Sequence, residues 1–156
     1  MSTSHKVFVT EIAGSPEIIF GLIADMPNYG RWLPGSQAFG ATTRVTPYPV
    51  RLGTTYLDAG PAGERPGSVT EYDPPRHIAF HHTMVLKLGP FGGNSDITIR
   101  YTLLPEASST CVIRDLAMSM RVPLLLKPFV VHAFRKENVR ILAELKRYVE
   151  AQPQQA

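Results

Sequence analysis

The sequence predicts an α+β domain in which an antiparallel sheet of about seven strands curves around one long C-terminal helix, with two short helices after the first strand. Three observations predict it. A strand-like alternation at the start of the chain runs directly into helix-start signals. Short β-branched segments then follow one another with turn residues between them. The stretch from Pro123 to about Glu150 changes to a helical period. A chain of 156 residues, 44% hydrophobic and 19% charged, suits one domain, 1–156, with an ordered core of about 5–150.

In "HKVFVTEIAG", Val7, Val9 and Glu11 alternate with Phe8, Thr10 and Ile12, and Gly14 ends the strand. "SPEIIFGLIAD" supplies Ser15 as N-cap, Pro16 at the first helical position and Glu17 in the first turn, ahead of Ile18, Ile19, Leu22 and Ile23 at helical spacing. Pro27 lacks an amide and clashes with the turn behind it, so this helix stops. Asp25 is placed to cap a second short helix containing Tyr29 and Trp32. Strands are then expected at about 37–45, 52–58, 66–73, 76–85, 96–104 and 110–120. "TPYPV", "AGPAGERP", "DPP", "GPFGGN" and "PEASS" separate them, and connections this short imply an antiparallel meander. In the last segment Leu126, Val130, Phe134, Ile141, Leu145 and Tyr148 recur at helical spacing, with Pro123 and Pro128 only in or near the first turns. With a rise of about 1.5 Å per residue this helix is about 40 Å long, enough to cover the sheet's apolar face. A curved sheet and a straight helix leave space between them, so a cavity is expected.

Composition excludes several roles. The net charge of +3 is spread along the chain, and the densest basic stretch, "FRKENVR", contains Glu137, so no nucleic-acid-binding patch is expected. No apolar run follows a basic start, and no segment reaches the roughly 18 apolar residues of a membrane span, so the expectation is a soluble, cytoplasmic protein. Cys111 is the single cysteine and reads as a small core residue; it allows neither an internal disulfide nor a multi-cysteine metal site. There is no phosphate-binding glycine loop, no HExxH pair and no GxSxG elbow. His81 and His82 point to opposite faces of a strand and so do not chelate one ion. Neither a metal nor another cofactor is expected.

The succession "SPEIIFGLIADMPNYGRWLPG", "GSVTEYDPPRHIAF", "TIRYTLLPEASST" and "LAELKRYVE" resembles the START-like (SRPBCC) superfamily, the helix-grip fold of birch-pollen-allergen-like proteins. Within it the chain is similar to bacterial members described as polyketide cyclase/dehydrase or lipid-transport-like. The resemblance covers almost the whole chain, and its motifs are structural, so it identifies a scaffold and leaves the chemistry open. It implies that the two short helices form a V closing one end of the grip, with Tyr29 and Trp32 between V and sheet. Trp32 then either seals the core at that end or presents one ring face to the pocket.

Strand parity nominates the other candidates. Ile97, Ile99, Tyr101 and Leu103 share an apolar face that turns Arg100 outward. Val112, Leu116, Met118 and Met120 carry Arg114 inward, and the phase of Ile78, Phe80 and Met84 carries His82. Tyr56 and Asp58 share a face from which either can supply Arg114 with a partner. Asn138 lies on the helix stripe of Phe134, Ile141 and Leu145, directed either into the cavity or to water. Phe91, in the glycine-rich "LKLGPFGGNSD" loop, is an entrance gate, a membrane-touching tip or simple loop packing.

Two functions fit this pattern. One is a carrier or sensor for a hydrophobic small molecule (a lipid, isoprenoid or aromatic polyketide), with walls including Ile99, Leu116, Met118, Met120 and Phe134. The other is an aromatase/cyclase-type enzyme in which Arg114 steadies an enolate and His82 moves the proton. The few inward polar groups legible in the sequence favour the carrier; ligand identity and oligomeric state are not legible.

Overall fold

The computed structural model describes residues 2–36, 39–61, 63–88 and 90–153. The chain runs β1 (Ser2–Ile12), α1 (Pro16–Ala24), a 3-10 helix (Met26–Arg31), β2 (Ala41–Thr46), β3 (Thr55–Gly60), β4 (Gly63–Asp73), β5 (His77–Leu88), β6 (Phe91–Pro105), β7 (Thr110–Arg121) and α2 (Lys127–Ala151). All strand pairs are antiparallel, in the order β1-β7-β6-β5-β4-β3-β2. β2 to β7 form a meander, and β1 joins it beside β7 to leave β1 and β2 as edges. The sheet curves around α2 and is not closed.

Ser15 caps α1 by accepting from the Ile18 amide at 3.3 Å, with Pro16 at the first position. Asp25 does not cap the second helix: its carboxylate instead accepts from Asn28, Arg31 and the Tyr48 hydroxyl. The turn after α1 is therefore a 3-10 helix, and Trp32 stands just beyond its end rather than within it.

The principal differences from expectation are extensions. β4 starts at Gly63, ahead of Pro66, because β3 alone pairs with it there and β5 joins only from Gly67. One side of the backbone at Pro66 is free, which a proline requires. Most of the expected 86–95 loop is strand, paired from Leu86 opposite Gly93 to Leu88 opposite Phe91. Gly93 is needed there, since a Cβ would meet the Arg121 carbonyl at 2.8 Å. The expected strand at 37–45 begins on residues 37–38, which lie outside the described residues, and is seen as Ala41–Thr46. Cys111 sits on the outward phase of β7 and is half-buried, not core, because the even positions face inward.

The main core packs α1, the 3-10 turn and the far end of α2 against the sheet around Ile12, Ile19, Ile23, Leu103, Val112 and Leu145. A second cluster of Met84, Leu86, Ile97, Leu116, Met118, Met120 and Val130 lies beneath the start of α2. Lys146 donates to the Glu11 carbonyl at 2.5 Å and Glu150 accepts from the Ala13 amide at 2.9 Å, fixing the end of the helix to β1. Arg140 donates to the Pro34 carbonyl at 2.8 Å and tethers its middle to the segment after Trp32.

Candidate functional site

Between sheet and α2 lies a cavity of about 250 Å³, and register explains who lines it. One cross-strand row runs Tyr56, Gly67, His82, Ile97; the next toward α1 runs Val69, Phe80, Ile99, Leu116; the next Ile78, Tyr101, Arg114. On the other side of the Tyr56 row, Asp58 faces Arg65. Rows of one parity share a face, so these side chains converge on the helix.

Trp32, Tyr56, Asp58, Phe80, His82, Ile99, Tyr101, Arg114, Leu116, Phe134 and Asn138 all line the cavity. Trp32 both seals and borders it: the residue is 4% exposed, its ring meets Tyr29 edge-on at 5.2 Å, and its Nε1 is buried with no hydrogen-bond partner among the described residues. Met118 and Met120 do not line it. They are buried on the expected face, in the cluster with Met84, Leu86 and Val130 against which Val122, Val131 and Phe134 also pack. Phe91 is exposed at the hairpin tip and is also absent from the lining.

Arg114 is held by α2. Its Nε donates to Asn138 Oδ1 at 2.6 Å, a second nitrogen donates to the Tyr101 hydroxyl, and the guanidinium lies 5.0 Å from the Tyr101 ring centre. Asn138 in turn donates to the Phe134 carbonyl at 2.7 Å, so the amide faces the cavity and not water. Neither Tyr56 nor Asp58 is Arg114's hydrogen-bond partner, because register puts them on strands at the far side of the sheet.

Tyr56 pairs instead with His82: its hydroxyl and His82 Nδ1 are 3.3 Å apart. The two strands are separated by β4, and Gly67 lets the ring cross it, since a Cβ there would sit 2.6 Å from the Tyr56 hydroxyl. Burial, then the charges of Arg65 and Arg114, push His82 down to about 3, so the imidazole is neutral at pH 7. Burial raises Asp58 above its ordinary value, although it accepts from Thr42 at 2.5 Å and stands near Arg65 and Arg114. Burial also raises the Tyr29 and Tyr56 hydroxyls, which stay protonated.

Arg65 is absent from the candidates that strand parity nominates. It is 7% exposed, lines the cavity, and makes no hydrogen bond or ion pair among the described residues. Its parity with Val69 on β4 is a usable signal, hidden because "AGPAGERP" reads as a turn. The cavity thus contains two unsatisfied donors, Arg65 and the Trp32 indole, in a wall otherwise mainly apolar.

Residues 4–150 match the family described as "Polyketide cyclase / dehydrase and lipid transport". The chain belongs to this family. The family description spans polyketide cyclisation, dehydration and lipid transport, and does not decide among them. Among solved structures it is similar to the di-domain ARO/CYC BexL from the BE-7585A biosynthetic pathway, with 13% identity and a TM-score of 0.70 over 97% of this chain. The match covers 51% of BexL, so the chain spans about half its length. It is also similar to a START superfamily protein from Mycobacterium smegmatis (19% identity, TM-score 0.66, 94% of this chain and 97% of that one). CalU16 from Micromonospora echinospora shares the fold at 14% identity, with a TM-score of 0.61 over 96% of this chain and 76% of that one. At these identities the neighbours establish the START-like helix-grip fold alone. No curated protein matches the chain. No helix among the described residues is long and apolar enough to cross a membrane.

Proposed function

We propose that this family member is a carrier or sensor for a hydrophobic small molecule bearing an anionic or oxyanionic head group. The carrying observation is the cavity's imbalance: an apolar wall in which the unsatisfied polar atoms, Arg65 Nε and Trp32 Nε1, are both donors. Such donors want an acceptor, and an arginine fork suits a carboxylate, phenolate or enolate oxygen. The apolar body would lie toward Met84, Leu86, Ile97 and Phe134. Catalysis is less well served. His82 is neutral with a pKa far from the operating pH, and Arg114, Asn138 and Tyr101 already satisfy one another.

A cyclase reading is favoured by one arrangement, Asp58 opposite Arg65 on β3 and β4. In its ionised form a carboxylate made more basic by burial, next to the Arg65 guanidinium, would take a proton from a ketone's α-carbon while the cation holds the enolate oxygen. Native mass spectrometry of protein purified from its own host, with extraction of bound material, tests the carrier reading. A co-purifying acidic lipid or isoprenoid supports it. Turnover of a poly-β-ketone precursor that Asp58→Asn abolishes, with retained affinity, would replace it by the cyclase. Ala133→Trp, at an exposed helix position bordering the cavity, should block uptake in either case without cutting into the core.

A further inference from the structure

The turn between β7 and α2 presents Leu124 and Leu125 at 81% and 88% exposure, and the first turn of α2 presents Phe129 at 73%. These are the most exposed large hydrophobic side chains among the described residues. Phe91, 55% exposed, lies at the same end of the sheet, because β6 meets the end of β7 where Asn94 pairs with Arg121. Along this stretch of the chain the charge is of one sign. From Leu116 to Lys136 there is no Asp or Glu, whereas Arg121, Lys127, Arg135 and Lys136 are basic. Along α2, His132 and Lys136 follow Phe129 at helical spacing on the exposed side, while Val130 and Phe134 turn inward to the cavity.

We propose that this end of the molecule docks on an anionic lipid surface, with Leu124, Leu125 and Phe129 entering the interface and the four basic residues facing lipid phosphates. The apolar residues project from a turn and a helix start, a shape suited to insertion between headgroups. Positive charge around them complements an anionic leaflet. A second copy of the chain fits poorly, since a two-fold interface would bring the same four cations face to face. Docking here sets the cavity wall at Val130 and Phe134 near the bilayer. The surface does not depend on what the cavity binds, so it stands or falls separately from the ligand reading.

Co-sedimentation of the full chain with phosphatidylcholine vesicles, and with vesicles half of phosphatidylglycerol, tests this. Binding to the mixed vesicles should exceed that to phosphatidylcholine by at least about tenfold, and roughly half-molar salt should weaken it. Leu125→Ser with Phe129→Ser should lower the affinity for mixed vesicles about tenfold or more at an unchanged melting temperature, as both side chains are exposed. Arg135→Gln with Lys136→Gln should reduce it too, without touching the apolar residues. Absent or equal binding to the two vesicle types overturns the proposal. So does a double serine variant that binds as before, or a concentration-dependent dimer that this variant dissolves.

Discussion

Replacing Arg65 by Met separates the two consequences of a buried cation that makes no hydrogen bond or ion pair among the described residues. The guanidinium is 7% exposed, no ion pair reaches it among the described residues, and the carboxyl opposite it on β3 accepts a hydrogen bond from Thr42. Burying an arginine that makes no ion pair costs several kcal/mol, and exchanging a buried pair of opposite charges together for apolar side chains of similar volume is neutral or stabilising by up to about 1–4 kcal/mol. Arg65→Met with Asp58→Leu should therefore melt no lower than the parent, whereas Arg65→Met alone leaves the Asp58 carboxyl buried without its neighbouring cation. For a domain of this size each kcal/mol corresponds to about 2–4 °C in Tm. Affinity should fall. A charge-assisted hydrogen bond to a ligand anion is worth about 1.5–3 kcal/mol, so losing it weakens binding by roughly 10- to 150-fold. The chain's one tryptophan borders the cavity and reports occupancy by fluorescence. Titration with anilinonaphthalene sulfonate, an anionic probe, and with Nile red, a neutral one, should show that Arg65→Met loses the first and keeps the second. Arg65→Lys should keep part of the sulfonate affinity. If Arg65→Met binds both probes as the parent does, the guanidinium is satisfied in solution by groups other than a ligand, and anion binding does not depend on Arg65.

Stability should fall as pH drops from about 6.5 toward 3, because the unfolded chain binds a proton at His82 that the folded chain refuses. That group alone contributes up to about 1.4 kcal/mol per pH unit within the window. Asp58 acts in the opposite sense, its raised pKa favouring the folded state as pH falls, so the decisive measurement is the difference between parent and His82→Gln in urea unfolding against pH. A difference that does not vary with pH would show that His82 titrates normally. Gly67→Ala should displace the Tyr56 ring from His82 and cost about 1–3 kcal/mol by overpacking, and Gly67→Ala with Tyr56→Leu should recover only the part due to the ring, since the same Cβ also sits 2.8 Å from the His81 carbonyl. Asn138→Leu leaves Arg114 Nε without its acceptor and should cost about 1–3 kcal/mol in chemical denaturation, while Asn138→Asp should retain most of the stability.

Period and parity by themselves determine much of this protein. Helix-start residues at Ser15 and Pro16, turn clusters between β-branched runs, and a terminal helical period dictate an antiparallel sheet gripping a helix, because each rests on local backbone preference. Alternation also puts Phe80, His82, Tyr101 and Arg114 on the inner face, since a strand has only two faces. It fails at Arg65, where proline and glycine read as a turn; only the neighbouring strands reveal that Pro66 lies where β4 has a single partner and that Gly67 is the gap under Tyr56. It also treats Met118 and Met120 as equal to Leu116, although only Leu116 borders the cavity and the methionines are buried in the cluster beneath the start of α2. Which polar groups meet is likewise a property of the assembled sheet. Arg114 finds Asn138 on the helix, Tyr56 finds His82 across an intervening strand, and Arg65 is left without a hydrogen-bond or ion-pair partner among the described residues, because cross-strand register and helix position set distances that no local pattern encodes.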